Sequence, residues 1–325
     1  MHRRSFCLRT GAVAASALLP ELASAQNWPA RPIRMIVPFP AGGGTDAISR
    51  QLAERITSAT GWAIAIENRA GAGGNIGLEA VAKAQPDGYT IGMGQAANLA
   101  INPSLYPKMP YDPLKDFALV SLVATQALVA VVSAKSPYKT LGELITAAKA
   151  KPGTVTVAHT GNGTVGHLAG EVFARQAGIK VLIVPYKGAA QVVTDILGGQ
   201  VDVLFGNPLA VMPLSSAGLL HPIAVTSLRR LAALPEVPTV DVSGFRGFEA
   251  TNWSGLVAPA KTPDVVVARL NAEVTAALRR PEMVEKLAVD SSEPLPSSPE
   301  RFAEFLRAEH AKWGTLIREA GIKLE

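Results

Sequence analysis

The chain has 325 residues, 31 Lys and Arg against 26 Asp and Glu for a formal charge of +5, 48% hydrophobic residues, 18% charged residues and one Cys. This composition excludes disordered and collagen-like chains. No Lys/Arg block exceeds two residues, so the clustered basic footprint that phosphate backbones require is missing and nucleic acid is excluded as an expected partner. The length predicts two domains of roughly 100 to 200 residues each.

Residues 1–25 read as an export signal, with Arg3, Arg4 and Arg9 ahead of an apolar run from Gly11 to Leu19 and an Ala23-Ser24-Ala25 cleavage site. The run is far shorter than the roughly 20 residues that span a bilayer. Arg3-Arg4-Ser5-Phe6 also fits a twin-arginine signal, with general secretion as the other route. Cleavage after Ala25 removes three Arg, one Glu and Cys7, leaving a net charge of +3 and no thiol chemistry. The expected location is the periplasm.

The mature chain alternates β-rich runs with amphipathic helical runs, the pattern of βαβ units and a largely parallel sheet. Ile33–Val37 reads as a strand, and 45–59 as a helix with Ile48, Leu52 and Ile56 on one face. Further strands are expected over 63–67, 89–93, 129–133, 155–158, 181–184, 201–205 and 223–226. Thr140-Leu141-Gly142-Glu143 is a capping box, and Thr262-Pro263 and Ser298-Pro299 each place a hydroxyl before a proline at a helix start. The Pro- and Gly-rich stretch 234–247 reads as a return crossing between domains, with a first crossing expected over 121–126. The expected division is therefore 26–125 plus 247–325 in one lobe and 126–246 in the other. No tandem repeat is evident.

Phosphate-loop, H-E-x-x-H, C-x-x-C and G-x-S-x-G motifs are absent. His159 and His167 lie eight residues apart, where capping or packing outweighs a metal pair for want of a neighbouring carboxylate. Gly71-Ala72-Gly73-Gly74-Asn75-Ile76-Gly77 has one residue too many for a dinucleotide fingerprint, and no ribose-binding acid follows. No cofactor or metal is expected.

Two loops carry the informative chemistry: Pro38-Phe39-Pro40-Ala41-Gly42-Gly43-Gly44-Thr45-Asp46 and His159-Thr160-Gly161-Asn162-Gly163-Thr164 each follow a strand and open a helix. Glycine admits a ligand close to the backbone, and a helix start offers unpaired N–H donors with about half a unit of positive charge. With no Lys or Arg in either loop, the group that suits them is a compact carboxylate and not a polyphosphate. About three charge-assisted hydrogen bonds, at roughly 1.5 to 3 kcal/mol each, only offset the cost of association, so tight binding requires a cleft that closes from two lobes.

At these residues the chain resembles the Bug family, the periplasmic substrate-binding receptors of tripartite tricarboxylate transporters. The resemblance spans seven ordered blocks: PFPAGGGTD at 38–46, ENRAGAGGNIG at 67–77, PDGYT at 86–90, HTGNGTVGHLAGE at 159–171, VPYKGAAQVVTDILGGQVDVLFGN at 184–207, LPEVPTV at 234–240 and GFEATNWSGLVAPAKTP at 247–263. It implies an α/β fold of two lobes, the periplasmic-binding-protein architecture with two crossovers and a ligand cleft, and a monomeric receptor without catalysis. It assigns Phe39, Ala41, Gly42, Gly43, Thr45 and Asp46 from the first loop to the pocket, and Thr160, Gly161, Asn162, Gly163 and Thr164 from the second. Many relatives carry Pro-Ser where this chain has Val165-Gly166, which leaves the identity of the ligand open. Tyr186, Lys187, Asp202, Asn207, Asn252 and Trp253 are secondary candidates, each with an ordinary surface, turn or packing role as the alternative.

The leading expectation is a receptor that delivers a small carboxylate (amino acid, di- or tricarboxylate, or aromatic acid) to membrane permease subunits. A secreted α/β enzyme using the glycine loops for a nucleotide or acyl carrier, and a ligand-binding partner of a sensor protein, are the alternatives.

Overall fold

The computed structural model describes residues 28–289 and 291–322. The export segment, its cleavage site and Cys7 lie outside the described residues.

The strand β1 (Ile33–Val37), helix α1 (Gly44–Thr60), β2 (Ile64–Asn68), α2 (Asn75–Ala82) and β3 (Thr90–Gln95) form a parallel unit with strand order β2-β1-β3. Four of the five β1 residues are buried, as a strand covered on both faces requires. Ile48, Leu52 and Ile56 bury one face of α1, and Gly61, at φ 74°, ends it by donating its N–H to Thr57 O. A π-turn (Ala97–Ile101) and the short helix α3 (Asn102–Leu105) follow, then β4 (Phe117–Ala127). Only Leu128 separates β4 from β5 (Val129–Ser133), yet β4 pairs in the first sheet and β5 in the second.

The second lobe repeats the plan. After α4 (Leu141–Ala150) come β6 (Thr156–His159), α5 (Val165–Gln176), β7 (Leu182–Pro185), α6 (Ala189–Leu197), β8 (Val203–Gly206), α7 (Pro208–Ser216) and β9 (Leu220–Val225). Its parallel strands are ordered β7-β6-β8, with β5 and β9 completing that sheet. The chain then returns through β10 (Thr251–Pro259), α8 (Asp264–Leu278), α9 (Pro281–Val289), β11 (Ser292–Pro294) and α10 (Pro299–Ala320). The first sheet is ordered β11-β4-β10-β3-β1-β2.

Both sheets are mixed, which corrects the expectation of a largely parallel one. The strand beside each parallel unit, β10 in the first lobe and β5 in the second, has just arrived from the other lobe and runs antiparallel. The stretch 121–126 is not a crossing but the interior of β4, paired with β10. Being mostly buried, β4 lacks the polar alternation that marks a half-exposed strand. Thr140 and Glu143 form the expected capping box, and Ser298 caps α10 from Arg301 N–H. Thr262 does not cap α8: its hydroxyl turns back to Pro259 O, and Pro263 takes the cap position.

The two crossings are tied at Thr226, which is fully buried. Its hydroxyl accepts the Leu128 N–H at 2.8 Å and donates to Ala250 O at 2.7 Å, bridging the outgoing and returning chains. Behind them a continuous apolar cluster runs from Leu78 and Leu99 in the first lobe, through Phe302 and Trp313 of α10, to Leu168, Phe173 and Phe205 in the second. Replacing Thr226 with Val keeps the shape and orphans a buried donor, so Thr226→Val should lower stability by about 1–3 kcal/mol. That is a melting-temperature loss of several degrees. Thr226→Ser should stay near wild type, with scanning calorimetry deciding between them.

Candidate functional site

In a parallel unit each helix follows its strand, so helix N-termini gather at the carboxyl edge of the sheet. Here the two carboxyl edges face each other across a cleft of about 1120 Å³. Three strand-to-helix loops from each lobe line it: 38–45, 70–74 and 95–97 from the first, and 160–166, 185–190 and 206–210 from the second. Ala124 to Gln126 of β4 and Asn252 to Ser254 of β10 form the floor.

Of the residues expected at the site, Phe39, Ala41, Gly42, Gly43, Thr45, Thr160, Gly161, Asn162, Thr164, Tyr186 and Asn207 line this cleft, as do Lys187, Asn252 and Trp253. Asp46, Gly163 and Asp202 do not. Asp46 is a buried brace for the first loop. Its Oδ2 accepts the Gly42 N–H and the Arg50 Nε–H, both at 2.9 Å, and its Oδ1 accepts Asn68 Nδ2 at 2.9 Å. Burial pushes the carboxyl up, but these hydrogen bonds prevail and hold it below its ordinary range. Asp202 stands before the N-terminal end of β8, opposite the cleft, where it accepts the Thr156 N–H and hydroxyl at 2.8 Å each.

The loops differ in how their donors are used. Gly43, at the start of α1, Gly74, at the start of α2, and Gly188, at the start of α6, provide no side-chain cap. At α5 the expectation of free donors is met only in part: Thr164 Oγ1 accepts the His167 N–H, and His167 Nδ1 accepts the Gly163 N–H at 3.3 Å. A Cβ at Gly166 would stand 2.8 Å from Phe205 O, so the backbone of β8 lies close against the first turn of α5 and leaves no room for a side chain there as the backbone stands. Asn207 caps α7 through Leu209 N–H and donates to Gln126 Oε1.

His159 and His167 pack ring to ring at 4.4 Å behind the second loop, which places them in structural roles. Burial first, and then the neighbouring His159, push His167 down to about 4. Burial also lowers His159, partly opposed by its contact with Gly161 O. Glu171 lies 3.8 Å from His167 Nε2, a separation that makes no charge pair while the ring is neutral.

Four contributors escaped sequence reasoning. Gln95 donates to the Thr45 hydroxyl at the end of β3, Gln126 and Ser254 lie in the crossing strands, and 70–74 lines the cleft as a third glycine turn. The last was legible as another strand-to-helix glycine turn; the others sit in buried strands whose cleft position only topology reveals.

Two mixed sheets, two chain crossings at one edge and helix starts facing a cleft between the sheets define a two-lobed solute-binding protein of the periplasmic type. Residues 48–322 match the model of the tripartite tricarboxylate transporter family receptor. Protein BugT of Bordetella pertussis is 38% identical over 303 residues, covering 93% of each chain. Among solved structures, the periplasmic binding protein BugD is 35% identical with a TM-score of 0.83, covering 91% of this chain and all of that one. An R. palustris protein solved with adipate is 35% identical with a TM-score of 0.86 at the same coverage. The chain belongs to the tripartite tricarboxylate transporter receptor family, the Bug proteins, whose members are periplasmic substrate-binding receptors.

Because His167 titrates lower folded than its unfolded value near 6.5, protons favour the unfolded chain, and stability is lost as pH falls from about 6.5 toward 4. Between pH 7.5 and 5 this one ring should cost about 2 kcal/mol. His167→Asn, which keeps an acceptor for Gly163, should flatten that slope in urea titrations run across the pH range.

Proposed function

We propose that the chain binds a small carboxylate between its lobes and delivers it to the membrane subunits of a tripartite transporter. The observation that carries this reading is the charge distribution of the cleft: five helices, α1, α2, α5, α6 and α7, begin at its wall, while Lys187 is the only formally charged side chain among its described lining residues. Helix starts favour negative charge, and uncapped glycine turns leave N–H groups for a ligand or its water. Among the described residues no acidic side chain lines the cleft to recognise a cation. The adipate seen in the R. palustris neighbour supports the same class.

The pocket residues in this reading are Phe39, Ala41, Gly42, Gly43 and Thr45 with Thr160, Gly161, Asn162 and Thr164, joined by Tyr186, Asn207 and the missed Gln95. Tyr186 donates its hydroxyl to Asp195 at 2.7 Å, and burial with that contact pushes it up to about 12, so it stays a neutral wall. Among the described residues the titratable lining groups are Tyr106, Tyr186 and Lys187, a set that suits a receptor better than an acid–base enzyme. Export by residues 1–25 and a monomeric state belong to the same reading, with the lobes dividing at the two sheet changes. A sensor protein as the recipient would use the same pocket.

Native mass spectrometry of periplasmic protein, followed by thermal-shift assays with adipate, a hydroxydicarboxylate, a tricarboxylate, benzoate, an amino acid and nucleotides, tests it. At a hundred times its dissociation constant a ligand adds about 2.7 kcal/mol, a shift of several degrees. A carboxylate response is expected. A response to nucleotides alone would reject the receptor.

A further inference from the structure

Gly163 belongs to the second glycine-rich loop yet does not line the cleft. It faces the other lobe. Asn102, the first residue of α3 in the first lobe, is fully buried. Its Nδ2 donates to Gly73 O at 3.2 Å and to Asn75 Oδ1 at 2.8 Å, which fixes the amide's orientation. Its Oδ1 is left buried without a hydrogen-bond partner. A Cβ at Gly163 would stand 2.6 Å from that oxygen, closer than real side chains approach, and in ordinary contact with Leu105 Cδ1 at 3.6 Å.

Each half of this contact is held by its own lobe. Asn102 is tied to the glycine turn after β2, and the Gly163 N–H to His167 Nδ1. The two can meet only when the lobes are together. A looser reciprocal contact lies across the cleft, where Asn207 of the second lobe faces Gly44 of the first: a Cβ there would be 3.4 Å from Asn207 Nδ2. Each lobe thus presents an asparagine to the other's glycine-rich loop, and the fit is tight at Gly163.

We infer that Asn102 and Gly163 form a closure seat: Gly163 lacks a side chain so that the second lobe can settle on Asn102, and a methyl group there props the cleft open. Both are positioning residues that act on the ligand through lobe closure, so the effect on affinity rests on the receptor reading above. Closure also strips water from Asn102 Oδ1 without replacing it, a cost the bound ligand must outweigh.

The test is a double-mutant cycle read by calorimetric titration of adipate, or of the carboxylate that the thermal-shift panel selects. Gly163→Ala should weaken binding tenfold or more while the protein remains folded. Adding Asn102→Ala, which removes the atom the methyl meets, should restore most of that loss; Asn102→Ser serves the same purpose if the alanine variant does not fold. Gly153 has φ +80° against +78° at Gly163, with nothing within 4 Å of its would-be Cβ, so Gly153→Ala carries the same backbone strain and should bind like wild type. A Gly163→Ala variant with wild-type affinity, or a double variant as weak as Gly163→Ala, overturns the inference, the latter by assigning the loss to loop distortion. A second arm needs no ligand: in a Cys7→Ser background, Asn102→Cys with Gly163→Cys should form an intramolecular disulfide under mild oxidation, and Asn102→Cys with Gly153→Cys should not. If no carboxylate binds wild type, the receptor reading fails and the disulfide alone decides. Its absence overturns the closure seat.

Discussion

The direction of a βα unit governs this molecule. A parallel strand feeding a helix delivers that helix's unpaired N–H groups to the carboxyl edge of the sheet. Two such edges, built from the orders β2-β1-β3 and β7-β6-β8, are turned toward each other. Every strand-to-helix loop of the two parallel units therefore reaches one cleft, and the electrostatic character of the cleft follows from backbone geometry more than from side-chain charge. A site made this way accepts an anion without presenting a cluster of cations whose mutual repulsion the fold would have to contain.

The crossings explain how the edges are held face to face. β4 runs into β5 across one residue, and β10 comes back beside β4, so both sheets are seeded by strands shared through the hinge. Thr226 couples those strands at the point where they change sheets. Farther back, α10 spans the seam: Glu309 accepts the indole N–H groups of both Trp253 and Trp313 at 2.9 Å, and Arg175 of α5 reaches Glu319 O. Trp253 lines the cleft floor, so one carboxylate fixes a wall residue from behind while its helix contacts the second lobe. At the mouth, by contrast, the contacts between lobes are made by glycine-rich loops and asparagines, Gly163 against Asn102 and Gly44 against Asn207.

Much of this was legible in the sequence, for identifiable reasons. Glycine runs flanked by a β-branched stretch and an amphipathic stretch mark loops whose conformation depends on few neighbours, and 38–45 and 160–164 were readable on that ground. Phe117–Ala127 was not, because a strand buried on most of its length loses the alternation that identifies strands, while Ser121, Thr125 and Gln126 suggest a loop. Ser121 instead spends its hydroxyl on Leu122 O and Ser297 O inside the fold. Asp202 is an acid beside a strand in a family motif, and only the direction of β8 shows that it faces away from the cleft. The repeat between the lobes was equally hidden: it exists in strand order and loop placement, with no matching run of residues to reveal it.

With Lys187 the one formally charged side chain among the described lining residues, charge contributes little to selectivity. Where recognition relies on fixed cations, a ligand is chosen by charge count; where it relies on helix starts and amide or hydroxyl groups, the shape of the closed cleft contributes most of the discrimination. Phe39, Ile48, Val165, Leu204 and Phe205 supply apolar surface between the two glycine-rich loops, so under the proposed reading fit would test the body of a ligand whose carboxylate is held. A change at the first turn of α5, where Val165 and Gly166 line the cleft, would alter the shape of this wall and leave the backbone groups of the loops in place. A chain built on this plan can change its ligand by repacking the walls, because the N–H groups at its helix starts are set by the strand-to-helix geometry and not by the side chains of the wall.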